Sequence, residues 1–278
     1  MGRCLTVLWR GSVEHGGVAL LGILNVTPDS FSDGGKYAGE AAVERGLALL
    51  AEGADWLDVG GESSRPGARS VSAEEELERV LPVIAGLVAA RPDVVLSVDT
   101  TKPRVAEAAL AHGARIINDI RGLTDPGMIG VVAAADAAAI AMHMRGDPAT
   151  MDDFCDYVDL PGEVCAWLDA RARAAVAGGV RPACLAIDPG LGFAKKGRQN
   201  TELIRAIPAM AALGWPVVIG ASRKRFVGEL TGAARPVDRL AGSVGAALAA
   251  AAQGAAVLRV HDVAATAQAL TVFAACRP

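Results

Sequence analysis

Residues Val94 to Asp119, VVLSVDTTKPRVAEAALAHGARIIND, decide the fold. The segment opens on VVLSV, a nearly continuous apolar run of the kind found in strands covered on both faces. TTKP follows, and Pro103 and Gly113 bracket a helical pattern in the proline-first, glycine-last order that helices favour. Arg115 to Ile117 then begins a second apolar run, which leads into Asn118 and Asp119. Strand, helix and strand in this order make one parallel βαβ unit.

The same unit recurs outward in both directions. Apolar runs occur at Ala19 to Leu24, Trp56 to Val59, Val94 to Val98, Arg115 to Ile117, Ala138 to Met142, Leu185 to Ile187, Val217 to Ile219 and Val257 to Val260. Helical segments separate them. Ser72 opens SAEEELERVLPVI with acidic residues at the positive end of the helix dipole, and Gln199 to Leu213 and Val237 to Ala252 carry similar patterns. No proline- or serine-rich linker divides the chain. Eight strands and eight helices over residues 1–278 predict a single (β/α)8 TIM barrel, because an open sheet of that size leaves two edges to protect. A doubly wound open sheet is the alternative.

Composition narrows the function. The chain has 278 residues, 52% of them hydrophobic and 21% charged, which are globular proportions. A net charge of −4 disfavours nucleic acid and anionic membranes as partners. The most apolar stretches, Met128 to Met144 and Val244 to Leu258, are interrupted by Asp136, Gly245, Gln253 and Gly254, short of the roughly 20 residues that cross a bilayer. MGRCLTVLWRG lacks the apolar core of a secretion signal. Cys4, Cys155, Cys165, Cys184 and Cys276 are scattered without CxxC pairing, which argues against a disulfide framework or a zinc site. A cytoplasmic protein is expected.

In a barrel, function collects where the strands end at their carboxyl side. Polar residues follow every run there: Asn25; Gly60, Gly61 and Glu62; Asp99; Asn118 and Asp119; His143; Asp188; Ser222, Arg223 and Lys224; Arg259 and His261. The chain's five lysines, Lys36, Lys102, Lys195, Lys196 and Lys224, all fall on this side, which suggests an electropositive mouth for a small anionic substrate. Barrel enzymes commonly bind phosphate at loops 7 and 8, here ASRKR and RVHD, and closure brings Asn25 beside Arg259 and His261. An amide oxygen at such a corner suits Mg2+, which takes few protein ligands. For Arg259 a surface ion pair is the alternative, and for His261 ordinary packing. Asp99, Asn118 and Asp188 could grip the edge of a flat, amidine-like heterocycle; alternatively, Asp99 caps the helix that follows it. NVTPDSFSDGG and GGESSRPGA are longer and more polar than strand-to-helix connections require, and are candidate lids.

With these segments in view, the chain resembles the dihydropteroate synthases of folate biosynthesis. NVTPDSFSDGG, GGESSRPGA, SVDTTKP, IINDIRG, MHMRG, DPGLGFAKKGRQN, ASRKRF and RVHD stand in that family's order and spacing. The resemblance implies condensation of 6-hydroxymethyl-7,8-dihydropterin diphosphate with 4-aminobenzoate, releasing diphosphate with the help of Mg2+. It implies a pterin pocket of Asp99, Asn118, Met142, Asp188 and Lys224, and a diphosphate corner of Asn25, Arg259 and His261 with Asn25 as metal ligand. It further implies an aminobenzoate side of Ser64, Arg65, Pro66, Phe193 and Ser222. Asp99, Asp188, Lys224 and Arg65 are the implied catalytic residues, and a homodimer is expected, with the alanine-rich helix at Ser243 to Ala252 as a candidate surface. Ser64, Ala194 and Lys196 depart from the family's usual threonine, glycine and threonine. A methyltetrahydrofolate methyltransferase would share the acids but has no use for the diphosphate corner, and a non-catalytic paralogue would not need Asn25, Arg65, Lys224, Arg259 and His261 together.

Overall fold

The computed structural model describes residues 9, 11, 15–27, 36–64 and 70–277. Eight strands alternate with helices: β1 (Ala19–Asn25), β2 (Trp56–Gly60), β3 (Leu96–Asp99), β4 (Ile116–Asp119), β5 (Ala138–Met142), β6 (Leu185–Asp188), β7 (Val218–Ile219) and β8 (Val257–Val260). The helices are α1 (Lys36–Ala51), α2 (Ala73–Ala90), α3 (Pro103–Ala111), α4 (Pro126–Ala134), α5 (Leu160–Ala177), α6 (Arg198–Arg205), α7 (Ile207–Ala211), α8 (Arg225–Thr231), α9 (Leu240–Ala252) and α10 (Val263–Ala275). All strand pairs are parallel and run in the order β6-β5-β4-β3-β2-β1-β8-β7. A single bridge between Ile187 and Val217, with the Ile187 N–H donating to the Pro216 carbonyl at 2.9 Å, joins β6 to β7. The sheet thus closes as a (β/α)8 barrel, as the run pattern predicts.

The strands differ from the expected runs chiefly at their ends. Asn25, Asp99, Asn118, Asp119 and Asp188 belong to the strands themselves, so their backbones are held by the ladder. β3 begins at Leu96 rather than Val94, because the Val94 N–H closes a turn onto the Arg91 carbonyl at 3.0 Å. The helix expected at Gln199 to Leu213 is two helices, α6 and α7, because Pro208 has no N–H to continue the first. A short 3-10 turn at Pro236–Arg239 precedes α9. Ser72 caps α2 as its sequence suggests, its Oγ accepting from the Glu75 N–H at 3.1 Å. α1 and α2 approach closely at glycines: a Cβ on Gly86 would lie 2.6 Å from Val43 Cγ2. No helix among the described residues is long and apolar enough to cross a membrane.

Candidate active site

The site grows from one buried aspartate. Asp58 sits within the apolar strand WLDVG, fully buried, and its Oδ2 accepts from Asn118 Nδ2 of β4 at 3.1 Å. From β8, Arg259 donates through Nε to Asp58 Oδ2 at 2.5 Å and through Nη2 to Asp99 Oδ2 of β3 at 2.7 Å. The register places β1 between β8 and β2, so this guanidinium reaches past a whole strand to tie β8 to β2 and β3. Asp99 therefore faces the barrel, and the N-cap of α3 is Lys102 with no side-chain capping bond. Arg259 is ion-paired, but inside the barrel mouth rather than on the surface. Burial opposes its charge, and the adjacent Asp58 and Asp99 outweigh that and hold the guanidinium above its ordinary range. Burial pushes Asp99 up to about 7, with Arg259 opposing. Asp58 Oδ1 remains buried without a hydrogen-bond partner among the described residues.

Asp188 completes the ring from β6. Its Oδ1 accepts from the Gly190 N–H at 2.7 Å, and burial raises its pKa against the pull of that bond and of Lys224. Lys224 lies over the Phe193 ring, Nζ 4.0 Å from the centroid. Burial and Arg259 push Lys224 down to about 8, while Asp188 and Asp99 oppose them. Ile120, Met142 and Phe193 are buried in one small apolar cluster, and Met142 is in register with Asp188. Carboxylates, an amide and apolar side chains thus share one wall, which suits a flat polar heterocycle. A cavity of about 540 Å3 opens at the Asp99 side of the ring, among the loops after β2, β3, β4 and β5, bounded by Ser64, Asp99, Thr101, Ile120 and Arg121 among others.

The residues expected at the diphosphate corner each have partners of their own in this structure. Ser222 Oγ lies 3.1 Å from His261 Nδ1 and accepts the His261 backbone N–H at 3.2 Å, which ties the loop after β7 to the end of β8. Burial, with Arg259 and Arg223 adding, pushes His261 down to about 3. Burial thus favours the neutral imidazole, and Arg259 is turned to the acids. Loop 7 is sewn to loop 8 a second time by Arg223, which donates to Asp262 from Nε at 3.0 Å and Nη2 at 2.5 Å. Asn25 ends β1 in register with Gly60, itself in register with Asp99, and a Cβ on Gly60 would lie 3.7 Å from Asn25 Oδ1 and 3.6 Å from Asp99 Cβ. Among the described residues no three His, Cys, Asp or Glu side chains cluster to hold a metal. The donor set fits only an ion that takes one amide oxygen and fills its shell from substrate and water, which is the habit of Mg2+.

The lysine reading needs correction. Lys102 is bound to Glu62 at 2.5 Å and Glu76 at 2.6 Å, so its charge is matched twice over. Lys195 is buried behind the site, and Lys196 Nζ donates to the Asp152 carbonyl at 2.5 Å. Of the four lysines with described side chains, Lys224 alone stands in the ring. His143 and Asp119 also leave the expected ring: His143 is buried against Lys195 and Trp167, and Asp119 accepts from the Arg121 and Leu123 N–H groups of its own turn. Arg65, Pro66 and residues 28–35 of the first loop lie outside the described residues. Asp58 was not reached from the sequence, because attention to strand ends passes over a charge inside a strand. The isolated acid in WLDVG was the available signal.

Comparison with known proteins agrees with this geometry. The family model described as pterin binding enzyme matches residues 21–261. A dihydropteroate synthase of Neisseria meningitidis serogroup B is 48% identical over 263 residues, covering 92% of each chain. One from Mycobacterium leprae is 48% identical over 267 residues, covering 93% of each. Among solved structures, Xanthomonas albilineans dihydropteroate synthase with 4-aminobenzoic acid superimposes with a TM-score of 0.88 at 51% identity, covering 94% of each chain. The same enzyme in complex with 7,8-dihydropteroate gives 0.85 at 48% identity, covering 94% of this chain and 95% of that one.

Proposed function

The chain belongs to the dihydropteroate synthases of the pterin-binding enzyme family, which are transferases, and from that premise we propose how its own residues carry the reaction. The substrates are 6-hydroxymethyl-7,8-dihydropterin diphosphate and 4-aminobenzoate. The observation that carries the reading is the buried ring in which Arg259 joins Asp58 to Asp99 beside Asn118 and Asp188.

In this reading Asp188 and Asn118 hold the amidine edge of the pterin, Met142 and Ile120 pack on its face, and Asp58 Oδ1 supplies a further buried acceptor. The carbon–oxygen bond breaks with its electron pair going to diphosphate, and positive charge develops on the pterin methylene. Oxygens of Asp58, Asp99 and Asp188 line this part of the mouth around Arg259, so positive charge developing on the methylene meets carboxyl oxygens already held in place, an interaction stronger in the transition state than with the neutral substrate. Asn25 Oδ1 would hold Mg2+, which when bound would supply counter-charge for the diphosphate. His261 donates to the diphosphate as a neutral imidazole. The aryl amine, seated by Phe193 and Lys224, with Ser64, Arg65 and Pro66 as the further residues proposed to bind this substrate, attacks through its lone pair and releases a proton to solvent. No dedicated base is required.

The test is diphosphate release by purified protein given the pterin substrate, 4-aminobenzoate and Mg2+. Release that requires both organic substrates is expected, and none would refute the assignment. A homodimer is also proposed. Ser243, Ala247, Ala250 and Ala251 of α9 are buried, while Gly245, Ala249 and Ala252 of the same helix are exposed, as are Leu230, Val237 and Leu240, and this outer face is the candidate surface. Sedimentation at a single monomer mass would remove it.

A further inference from the structure

Behind the ring lies a buried lysine that the reaction above does not use. Lys195 is 1% exposed, and each of its three ammonium protons has an acceptor: His143 Nδ1 at 2.9 Å, the Phe193 carbonyl at 2.9 Å and the His143 carbonyl at 3.2 Å. For Nδ1 to accept, the imidazole must be neutral with its proton on Nε2. Burial, aided by Lys195 and Arg145, pushes His143 down to about 3, which keeps it so. No carboxylate touches the Lys195 nitrogen among the described residues, and burial pushes the group down to about 7, so it serves as a hydrogen-bond donor to His143 and the Phe193 carbonyl rather than as half of an ion pair.

His143 is fixed independently of Lys195. Its N–H donates to the Asp188 carbonyl at 2.9 Å, and its ring meets Trp167 edge-on at 5.0 Å. The loop that Lys195 ties to this post is one that resists its own conformation. Gly190, Gly192 and Ala194 all have positive φ, and at Ala194 (φ 52°) the β-carbon makes that conformation a strained one. Phe193 stands between two of these residues, and the Lys224 stem passes so close that a Cβ on Gly192 would lie 3.3 Å from Lys224 Cδ. A continuous line of contacts therefore runs from Asp188 and Trp167 through His143 and Lys195 to Phe193 and Lys224.

We propose that Lys195 and His143 form a positioning pair that fixes Phe193 against Lys224 and thereby shapes the seat of the aryl amine. The inference rests on the reaction proposed above, and two readouts keep the two claims separate. The first needs no activity. In protein labelled with 13C-lysine, Lys224→Arg assigns the Lys224 signal, whose ε-methylene protons are shifted upfield by the Phe193 ring. Lys195→Met is expected to move that signal toward the position of free lysine. The second is kinetic: Lys195→Met is expected to raise KM for 4-aminobenzoate about tenfold, the scale of a sub-ångström misplacement, while KM for the pterin substrate stays within about twofold.

A folded Lys195→Met protein with an unmoved Lys224 signal overturns the pair. A moved signal with unchanged KM for 4-aminobenzoate, or with both KM values raised equally, overturns its link to the aryl amine. If Lys195→Met does not melt cooperatively, His143→Gln and His143→Leu carry the same comparison. Gln, which can still accept from the ammonium, is expected to hold the signal and the KM, and Leu to lose both; identical behaviour of the two overturns the proposal. If the wild-type protein shows no turnover, the reaction falls, and the lysine signal still decides the pair.

Discussion

Arg259 illustrates how much one side chain decides. Its guanidinium neutralises Asp58 and Asp99 across the barrel, partners 201 and 160 positions away in sequence. Removing it leaves the buried Asp58 without its ion-pair partner and Asp99 with only Lys224 nearby, so Arg259→Ala is expected to cost about 3 kcal/mol in urea unfolding. It is also expected to weaken free pterin as well as diphosphate-bearing ligands, by tenfold or more on the scale of a lost charge-assisted contact. A loss confined to diphosphate ligands in calorimetry would return Arg259 to the phosphate corner where the motif RVHD alone had put it. Lys224 gives a prediction in pH. Its ammonium, pushed down to about 8, is charged below that value and neutral above it. The rate should therefore fall as pH rises through about 8, and Lys224→Arg, whose charge persists, should lack that limb even if its rate is lower. A limb that survives the substitution would assign it to another group.

Among the elements, the loops after β7 and β8 are the clearest case of a site held by its own stitching. Arg223 has φ 59°, donates its N–H to Ser243 Oγ at 2.8 Å, accepts from Arg239 at its carbonyl and grips Asp262 with two nitrogens. Both Arg223→Ala and Arg223→Gly lose the Asp262 pair, but only alanine keeps the left-handed strain. Glycine is expected to be the less destabilised of the two by about 1 kcal/mol in thermal or urea unfolding. The reverse order would mean that φ here carries no strain. At α2, Ser72→Ala is expected to cost about 1 kcal/mol through loss of the cap, read from the same unfolding curves.

These two elements also mark what sequence could and could not tell. The Ser72 cap was legible because capping is a local pattern, and the eight strands were legible because burial on both faces leaves continuous apolar runs. Where Arg259 points was not, since its partners are distant in the chain and meet it only after closure. Asp58 was hidden by its apolar neighbours, and Lys195 resembled any loop lysine until the loop folded over it.

At the scale of the whole barrel, the sheet is closed but not uniform. β1 and β2 share a register of five residue pairs, whereas β6 and β7 meet at the single bridge of Ile187 and Val217. Local opening begins where the fewest bonds must break. The amides of Ile187, Val218 and Ile219 are expected to exchange with deuterium earlier than those of Leu21 to Asn25, and uniform protection around the barrel would contradict this. The closure itself was predictable from strand count; the thin seam was not, because β7 is only two residues long and the apolar run Val217 to Ile219 does not show how few of its residues pair.

That thin seam runs directly between Asp188 on one lip and the loop bearing Lys224 on the other. A molecule clasped by both would act as the rung that the backbone omits there. Substrate would then do more than occupy the mouth: it would finish the staves of the barrel, so that the empty protein is the looser vessel and turnover is a cycle of lacing and unlacing one side.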